Sequence, residues 1–291
     1  MLKFDFVAPR SPEDAVLQLQ ERGPGGKLIA GGTDLLLQLK ARVTRPSYVV
    51  DLSRLPELTR LEYQPNGGLW IGAMVRMRTI QQSPLVQERF GIVVDGAKLV
   101  GSIQIRNLAT VGGNLCNAAP SADVAPPLIA VGARAEILGP GGSRSVPLDE
   151  FFLGPRRTVL GSAELLLGVL VPEPAARSGG HYLRHTPRKE MDIAVVGVGS
   201  HLTLENGYCS DARIVLGAVA PTPLRAARAE AALRGQPLTP ELLEHAAGLA
   251  AEEAQPITDV RGNADFRRHL VAVLTSRTLT TAWDQAIHAS A

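Results

Sequence analysis

Two glycine-rich segments, far apart in the chain, constrain the fold most strongly. The first reads Ala-Gly-Gly-Thr-Asp at residues 30–34, and the second reads Thr-Val-Gly-Gly-Asn at residues 110–114. The first lies between an apolar run at residues 27–30 and a helix-like segment at residues 35–42. A strand, a glycine turn and a helix in this order direct backbone N–H groups towards one point, which suits a phosphate or pyrophosphate. If the two segments meet in space, they can bind both ends of a dinucleotide linker.

The bulk composition is that of a globular protein. The chain has 291 residues, of which 45% are hydrophobic and 20% charged, and its net charge is +2. This length allows one large domain or two ordinary ones, and the weak charge argues against nucleic acid or a membrane surface as partner. No apolar stretch approaches the roughly 18 residues that cross a bilayer, and Asp5 interrupts any signal-peptide core. We therefore expect a cytoplasmic protein.

The cysteines and histidines predict no metal site. Cys116 and Cys209 are the only cysteines, which is too few for an iron–sulfur cluster or a four-cysteine zinc site. Only His181 and His185 have the H-x-x-x-H spacing, and no carboxylate lies between them or directly beside them. We expect Cys116 to be a small buried residue, and His181 and His201 to be packed or surface residues that no neighbour orients.

The order of elements predicts two domains. Before Pro172, helices alternate with short strands at residues 27–30, 48–52, 69–73, 134–138 and 165–171. Residues 105–122 lack periodicity and are predicted to be a long ordered loop, a kind of segment that is usually functional. Residues 174–180 read as a linker. Beyond it, three strands (181–185, 193–204, 212–219) and three helices (223–233, 240–254, 264–286) predict an α+β unit.

The side chains of the first segment suit an anion. Gly31 and Gly32 permit positive φ and close approach of a ligand. Thr33 offers a hydroxyl, and Asp34 can cap the following helix. A plain strand–turn–helix connection also uses two glycines, so the motif alone leaves both interpretations open.

The second segment gathers more polar groups. Thr110 and Asn114 can hydrogen-bond phosphate oxygens together with the amides of the two glycines between them. Asp123 would repel phosphate, so it suits sugar or ribityl hydroxyls, or it caps the helix that follows. Arg106 either neutralises phosphate or pairs with an acid.

These segments resemble the FAD-binding (medium) subunit of molybdenum hydroxylases, the group that includes carbon monoxide dehydrogenase and xanthine dehydrogenase. The resemblance rests on residues 30–34, on residues 105–123 and on Arg-Lys-Glu-Met-Asp-Ile-Ala at residues 188–194, and it extends over nearly the whole chain. It implies an α+β protein with a vanillyl-alcohol-oxidase-type FAD-binding domain at residues 1–174, made of two α/β subdomains (about 1–55 and 56–174). A small C-terminal α+β domain with an antiparallel sheet and helices is implied at residues 180–288.

The resemblance also implies FAD as the cofactor and a set of contacts. Residues 28–36 are expected to surround the pyrophosphate, Leu167 to offer a backbone contact, and Arg184 to offer a cationic one. Alternatively, Arg184 belongs to a basic patch that faces solvent or another subunit. The expected FAD-binding residues are Leu28, Ile29, Ala30, Gly31, Gly32, Thr33, Asp34, Leu35, Thr110, Gly112, Gly113, Asn114, Asp123, Leu167 and Arg184.

The function that the resemblance implies is electron transfer within a larger complex. A large molybdopterin-binding subunit would hydroxylate the organic substrate, and a small [2Fe-2S] subunit would pass electrons to FAD in this chain. The acceptor would be NAD, a quinone or oxygen, and the complex a dimer of heterotrimers. No catalytic side chain is expected here, since no Ser/His/Asp or paired-carboxylate set is evident. Two alternatives remain: a self-contained flavin reductase or oxidase on the same scaffold, and a module that binds a nucleotide without redox turnover.

Overall fold

The N-terminal part of the chain is a small parallel sheet with two helices. The computed structural model describes residues 3–189 and 191–289, so Glu190 of the 188–194 motif lies outside the described residues. The sheet has the order β1-β3-β2. Its elements are β1 (Asp5–Val7), α1 (Pro12–Arg22), β2 (Gly26–Ile29), α2 (Leu35–Lys40) and β3 (Tyr48–Asp51).

Helix α1 forms as its sequence predicts. The Ser11 side chain accepts a hydrogen bond from the Asp14 amide, and a proline follows in the first turn. The helix ends at Gly23, whose φ of 73° is readily available to glycine. Its buried face, which includes Ala15 and Leu19, packs on Tyr48 and its neighbours in the core of this part.

The middle part is a five-stranded antiparallel sheet with helices. The sheet has the order β4-β5-β10-β6-β7, and a separate hairpin joins β8 to β9. The strands are β4 (Leu61–Gln64), β5 (Gly68–Gly72), β6 (Arg134–Gly139), β7 (Gly142–Pro147), β8 (Phe152–Gly154), β9 (Arg157–Thr158) and β10 (Leu165–Val171). The helices are α3 (Met77–Gln82), α4 (Pro84–Arg89), α5 (Gly91–Ala97), α6 (Ile103–Arg106), α7 (Val111–Asn117) and α8 (Ala125–Ala130), with 3-10 turns at Pro56–Thr59 and Leu148–Glu150.

The predicted loop at residues 105–122 is wrong in part, because two short helices occupy it. Helix α7 carries two glycines and two asparagines, residue types with low helix propensity, so no periodic signal marks it. It forms because Thr110 caps its first turn, and its apolar residues Val111 and Leu115 are fully buried. Tertiary contacts thus override local propensity here.

The C-terminal part is an antiparallel sheet covered by helices, as predicted, but it has a fourth strand where the sequence predicts the start of a helix, and its first strand begins within the predicted linker. The strands follow one another in chain order: β11 (Ser178–His185), β12 (Val196–Glu205), β13 (Tyr208–Gly217) and β14 (Leu224–Arg225). The helices are α9 (Ala227–Leu233), α10 (Pro240–Glu253) and α11 (Ala264–His288). Helix α11 packs on β11 and β12. The chain is therefore a mixed helix and sheet protein, which confirms the predicted fold class.

Within residues 3–189 and 191–289, no helix is both long enough and apolar enough to cross a bilayer.

Candidate cofactor site

The two glycine-rich segments lie against each other. A Cβ atom on Gly31 would overlap the carbonyl oxygen of Leu108, which precedes the second segment. A Cβ atom on Gly113 would lie 3.9 Å from the Ala30 Cβ atom. The convergence on which the sequence interpretation depends is therefore present, and Gly31 is needed because the two backbones approach so closely.

Backbone hydrogen bonds fasten the second segment to the start of the middle sheet. The Val111 amide donates to the Val75 carbonyl at 3.0 Å, and the Gly112 amide donates to the Ala73 carbonyl at 2.8 Å. The Gly113 amide donates to the Thr110 Oγ1 atom at 3.1 Å. The amides of both glycines thus already have acceptors, a correction to their predicted contact with phosphate. The Thr110 hydroxyl still has its own proton to donate.

A cleft of about 740 Å³ opens along the contact between the two segments. All three parts of the chain contribute to its wall. The expected residues that line it are Leu28, Ala30, Gly31, Gly32, Thr33, Asp34, Leu35, Thr110, Gly112, Gly113 and Asn114. The residues that sequence reasoning did not propose include Lys27, Gln38, Cys116, Asn117, Gly161, Ser162, Met191, Asp192 and Ile193. Several of these residues lie next to, or within, the motifs that carried the resemblance, and this position in the sequence could have identified them as candidates.

The first segment presents unpartnered donors to this cleft. The amides of residues 31–34 donate no hydrogen bond to any residue that the structure describes. Gly32 has a φ of 72°, a conformation that L side chains rarely adopt. Successive amides in such a turn form a concave nest that attracts anions.

The predicted capping role of Asp34 is wrong. Its φ and ψ of −99° and −50° are helical, whereas a capping side chain requires an extended backbone to reach the next turn. The Asp34 side chain accordingly makes no capping hydrogen bond. Asp34 therefore does not cap the first turn of α2, which lies beside the cleft.

Asn114 contributes a buried acceptor without a partner. Its Oδ1 atom is buried and accepts no hydrogen bond from any described residue. A buried polar atom of this kind is costly unless a ligand or water donates to it. Free amide donors, an orphaned acceptor and leucine side chains in one cleft fit a dinucleotide such as FAD, with its diphosphate, hydroxyl groups and aromatic rings.

Asp123 and Arg184 form a buried ion pair with each other, and neither lines the cleft. Tyr182 Oη also donates to Asp123, at 3.0 Å. Burial raises the pKa of Asp123 to about 6, although the Arg184 charge and the two hydrogen bonds act in the opposite direction. The alternative capping role of Asp123 is wrong, because α8 has Val124 at its N-cap and no side-chain capping bond.

Three further candidates are occupied by structural contacts. Leu167 accepts at its carbonyl from the Ala73 amide at 2.9 Å, and Ile29 is part of β2 without lining the cleft. The Arg106 guanidinium donates to Gln81 Oε1 and to the Val100 carbonyl, each at 3.1 Å.

Two expectations about single residues are corrected by the structure. Cys116 is exposed rather than buried, because it faces the cleft. His181 does have an orienting neighbour, since its Nδ1 atom lies 2.6 Å from Asp95 Oδ2. Both histidines line a second cavity, of about 460 Å³, between the middle and C-terminal parts. Burial lowers the pKa of His201 to about 4.

Comparison with protein families gives matches to both halves of the chain. Residues 2–174 match the FAD binding domain in molybdopterin dehydrogenase, and residues 181–282 match the CO dehydrogenase flavoprotein C-terminal domain. The putative xanthine dehydrogenase FAD-binding subunit XdhB of Escherichia coli (strain K12) is 34% identical over 96% of this chain and 97% of its own. The carbon monoxide dehydrogenase medium chain of Hydrogenophaga pseudoflava is 35% identical over 97% of each chain.

Solved structures agree with these matches. A chain of carbon monoxide dehydrogenase from Hydrogenophaga pseudoflava, in a form that lacks the Mo-pyranopterin moiety, superposes with a TM-score of 0.93 at 36% identity over 98% of both chains. A chain of quinoline 2-oxidoreductase from Pseudomonas putida 86 gives 0.91 at 32% identity over 99% of both.

Fold, cleft and relatives together define a flavoprotein of the oxidoreductase class. This chain belongs to the family of FAD-binding subunits of molybdenum-containing dehydrogenases, the carbon monoxide dehydrogenase and xanthine dehydrogenase family. Its cofactor is FAD.

Proposed function

We propose that this chain is the electron-transfer subunit of a molybdenum-containing hydroxylase complex. It takes electrons from the iron–sulfur clusters of a partner subunit and passes them to an external acceptor, which is NAD, a quinone or oxygen. Bound FAD supplies this chemistry, because a flavin accepts electrons singly and releases them in pairs. The chain binds and orients the cofactor and keeps it partly out of water.

The contact between the two glycine-rich segments is the observation that carries this proposal. The unpartnered amides of residues 31–34 suit the diphosphate, and the Thr110 hydroxyl suits one of its oxygens. The orphaned Asn114 Oδ1 atom suits a hydroxyl or N–H donor of FAD. We assign Leu28, Ala30 and Leu35 to the wall of the same site, and we assign Ile29, Leu167, Asp123 and Arg184 a supporting role there, because these four do not line the cleft.

We further propose the partners and the domain limits. The name medium chain, which the carbon monoxide dehydrogenase relatives bear, supports a larger and a smaller companion. These are a molybdopterin-binding subunit and a [2Fe-2S] subunit, assembled as a dimer of heterotrimers in the cytoplasm. The FAD-binding domain comprises residues 1–174, with subdomains of about 1–55 and 56–174, and the C-terminal domain comprises residues 180–288.

Anaerobic reduction of the flavin tests the proposal. The chain loaded with FAD is mixed with carbon monoxide or xanthine, first alone and then co-purified with the subunits encoded beside it. We expect the visible flavin absorbance to bleach only in the co-purified complex, since in this proposal the molybdenum centre and the iron–sulfur clusters belong to the partner subunits.

Two outcomes contradict the proposal. Rapid bleaching by the substrate added to the chain alone indicates a self-contained flavoenzyme. A chain that carries a nucleotide without a flavin spectrum when it is purified, before FAD is added, indicates a module without redox turnover.

A further inference from the structure

A buried carboxylate joins the two domains next to the cofactor cleft. Asp123 lies between α7 and α8, and only 9% of its side chain is exposed. Both of its oxygen atoms accept from β11 of the C-terminal domain: Tyr182 Oη donates to Oδ1 and Arg184 Nη1 to Oδ2. A carboxylate removed from water needs such donors, since desolvation penalises its charged form.

The Tyr182 hydroxyl occupies a space that the backbone leaves for it. Tyr182 is only 2% exposed. Gly197 of β12 lies beside it, and a Cβ atom at Gly197 would overlap the hydroxyl oxygen. The absence of that Cβ lets the hydroxyl reach Asp123, a donation that phenylalanine cannot make.

This cluster stands between two segments that line the cleft. On one side, α7 ends at Asn117, a cleft residue, shortly before Asp123. On the other side, β11 ends at His185, and the connection to β12 brings Met191 and Ile193 to the cleft wall. The hydrogen bonds at Asp123 therefore set the position of the C-terminal wall relative to the N-terminal one.

The charge of Asp123 depends on the same β11 side chains. Burial raises its pKa to about 6, while Arg184 and Tyr182 hold it from rising further. Helix α5 packs on the backbone of Asp123, but its own carboxylate, Asp95, is paired with His181 and Lys98. If Tyr182 no longer donates its hydrogen bond, the pKa of Asp123 rises further, towards neutral pH.

We propose that Tyr182 is a positioning residue for FAD: through Asp123 and Arg184 it holds the Met191–Ile193 wall against the cofactor cleft. The proposal rests on the cofactor cleft assigned above. It goes beyond that assignment because Tyr182 does not line the cleft, so its effect on FAD binding is transmitted through the domain contact.

The test compares Tyr182→Phe with Tyr63→Phe in the full chain. Tyr63 is a matched control because its hydroxyl also donates to a carboxylate, Glu173 Oε1 at 2.8 Å, away from the cleft. The apo chain is titrated with FAD from about pH 5 to about pH 8, a range that brackets the carboxyl pKa. Amide hydrogen exchange of the connection between β11 and β12 is measured in the same apo proteins.

We expect FAD affinity in the wild type to fall as pH drops through about 6, where Asp123 takes up a proton. In Tyr182→Phe the midpoint moves up by about one pH unit, the effect of one hydrogen bond to a charged group, so affinity falls by about twofold at pH 7 and by about tenfold at pH 5. Exchange in the β11–β12 connection becomes faster. Tyr63→Phe changes none of these quantities.

An unchanged midpoint in Tyr182→Phe, or an equal shift in Tyr63→Phe, overturns the proposal. Asp123→Asn serves as the second variant: its FAD affinity is expected to be weak and independent of pH in this range, and persistence of the wild-type pH dependence also overturns the proposal. Failure of the cleft itself is distinguishable, because then Gly31→Ala would leave FAD affinity unchanged as well.

Discussion

Substitution of Gly31 by alanine tests whether contact between the two glycine-rich segments creates the FAD site. The added Cβ atom would lie 2.7 Å from the Leu108 carbonyl carbon and 3.2 Å from the Ala109 Cα atom, and it would overlap the Leu108 oxygen. Ordinary carbon contacts are about 3.5–4.0 Å. The segments must therefore separate by roughly 1 Å, since backbone atoms rather than a flexible side chain stand in the way.

A separation of this size removes hydrogen bonds between the chain and the diphosphate. A bond of about 2.9 Å becomes one of nearly 4 Å, which is no longer a hydrogen bond. Each hydrogen bond to a charged group contributes about 1.5–3 kcal/mol. Loss of two such bonds weakens FAD binding by about 3–6 kcal/mol, or roughly two to four orders of magnitude in the dissociation constant.

The assay is titration of the apo chain with FAD, followed by flavin fluorescence, with circular dichroism and the thermal midpoint as measures of folding. Gly248→Ala is the matched control, because Gly248 lies in α10 and an added Cβ there has no atom within 4 Å among the described residues. It should leave FAD affinity unchanged and stabilise the fold by up to about 1 kcal/mol. A folded Gly31→Ala chain whose FAD affinity stays within about twofold of the wild type, a difference of about 0.4 kcal/mol, would refute the convergence argument.

Two further substitutions address single side chains. Asn114→Ala should weaken FAD binding by about 1–3 kcal/mol, because it removes a buried Oδ1 atom that can accept a hydrogen bond from the ligand and accepts none from the described residues. For the same reason, it should not lower the stability of the apo chain. FAD titration and thermal unfolding of the apo chain measure the two effects, and an unaltered FAD affinity argues against a contact between Asn114 and FAD. His201→Gln should flatten the dependence of unfolding free energy on pH between 6.5 and about 4, where the wild type loses up to about 3 kcal/mol as pH falls. Stability falls with falling pH because the buried imidazole, with its lowered pKa, stays neutral while the unfolded chain takes up a proton. Denaturant titrations at several pH values measure the unfolding free energy, and an unchanged slope of this energy against pH in His201→Gln contradicts the prediction.

Much of the fold is predictable where local signals are strong. The cap at Ser11, the glycine at residue 23 and the apolar run of β10 locate their elements directly. The edge strands β4 and β7 escape prediction because their exposed residues include few apolar side chains. Helix α7 escapes it because glycine and asparagine conceal a helix that tertiary packing stabilises.

The candidate site shows the same division between local and long-range information. The glycine-rich segments can be recognised in the sequence because glycine marks a local backbone conformation that other residues rarely adopt, such as the turn at Gly32. The sequence does not show that the Gly112 amide donates to the Ala73 carbonyl, or that Asp123 accepts from Tyr182. These partners are distant along the chain, so no pattern of spacing identifies them.

The edge of the C-terminal sheet explains why this distant pairing is specific. Strand β11 is the edge strand of that sheet, and an unprotected edge invites pairing with other chains. Two of its outward amides are already bonded: Gly180 donates to Gln285 of α11 at 2.9 Å, and Tyr182 donates to Asp95 of α5 at 3.3 Å. Since Asp95 and Asp123 both belong to the FAD-binding domain, β11 is held by two carboxylates of its neighbour, one on its backbone and one on its side chains. The same contacts that close the edge therefore orient the strand whose connection to β12 completes the cofactor cleft.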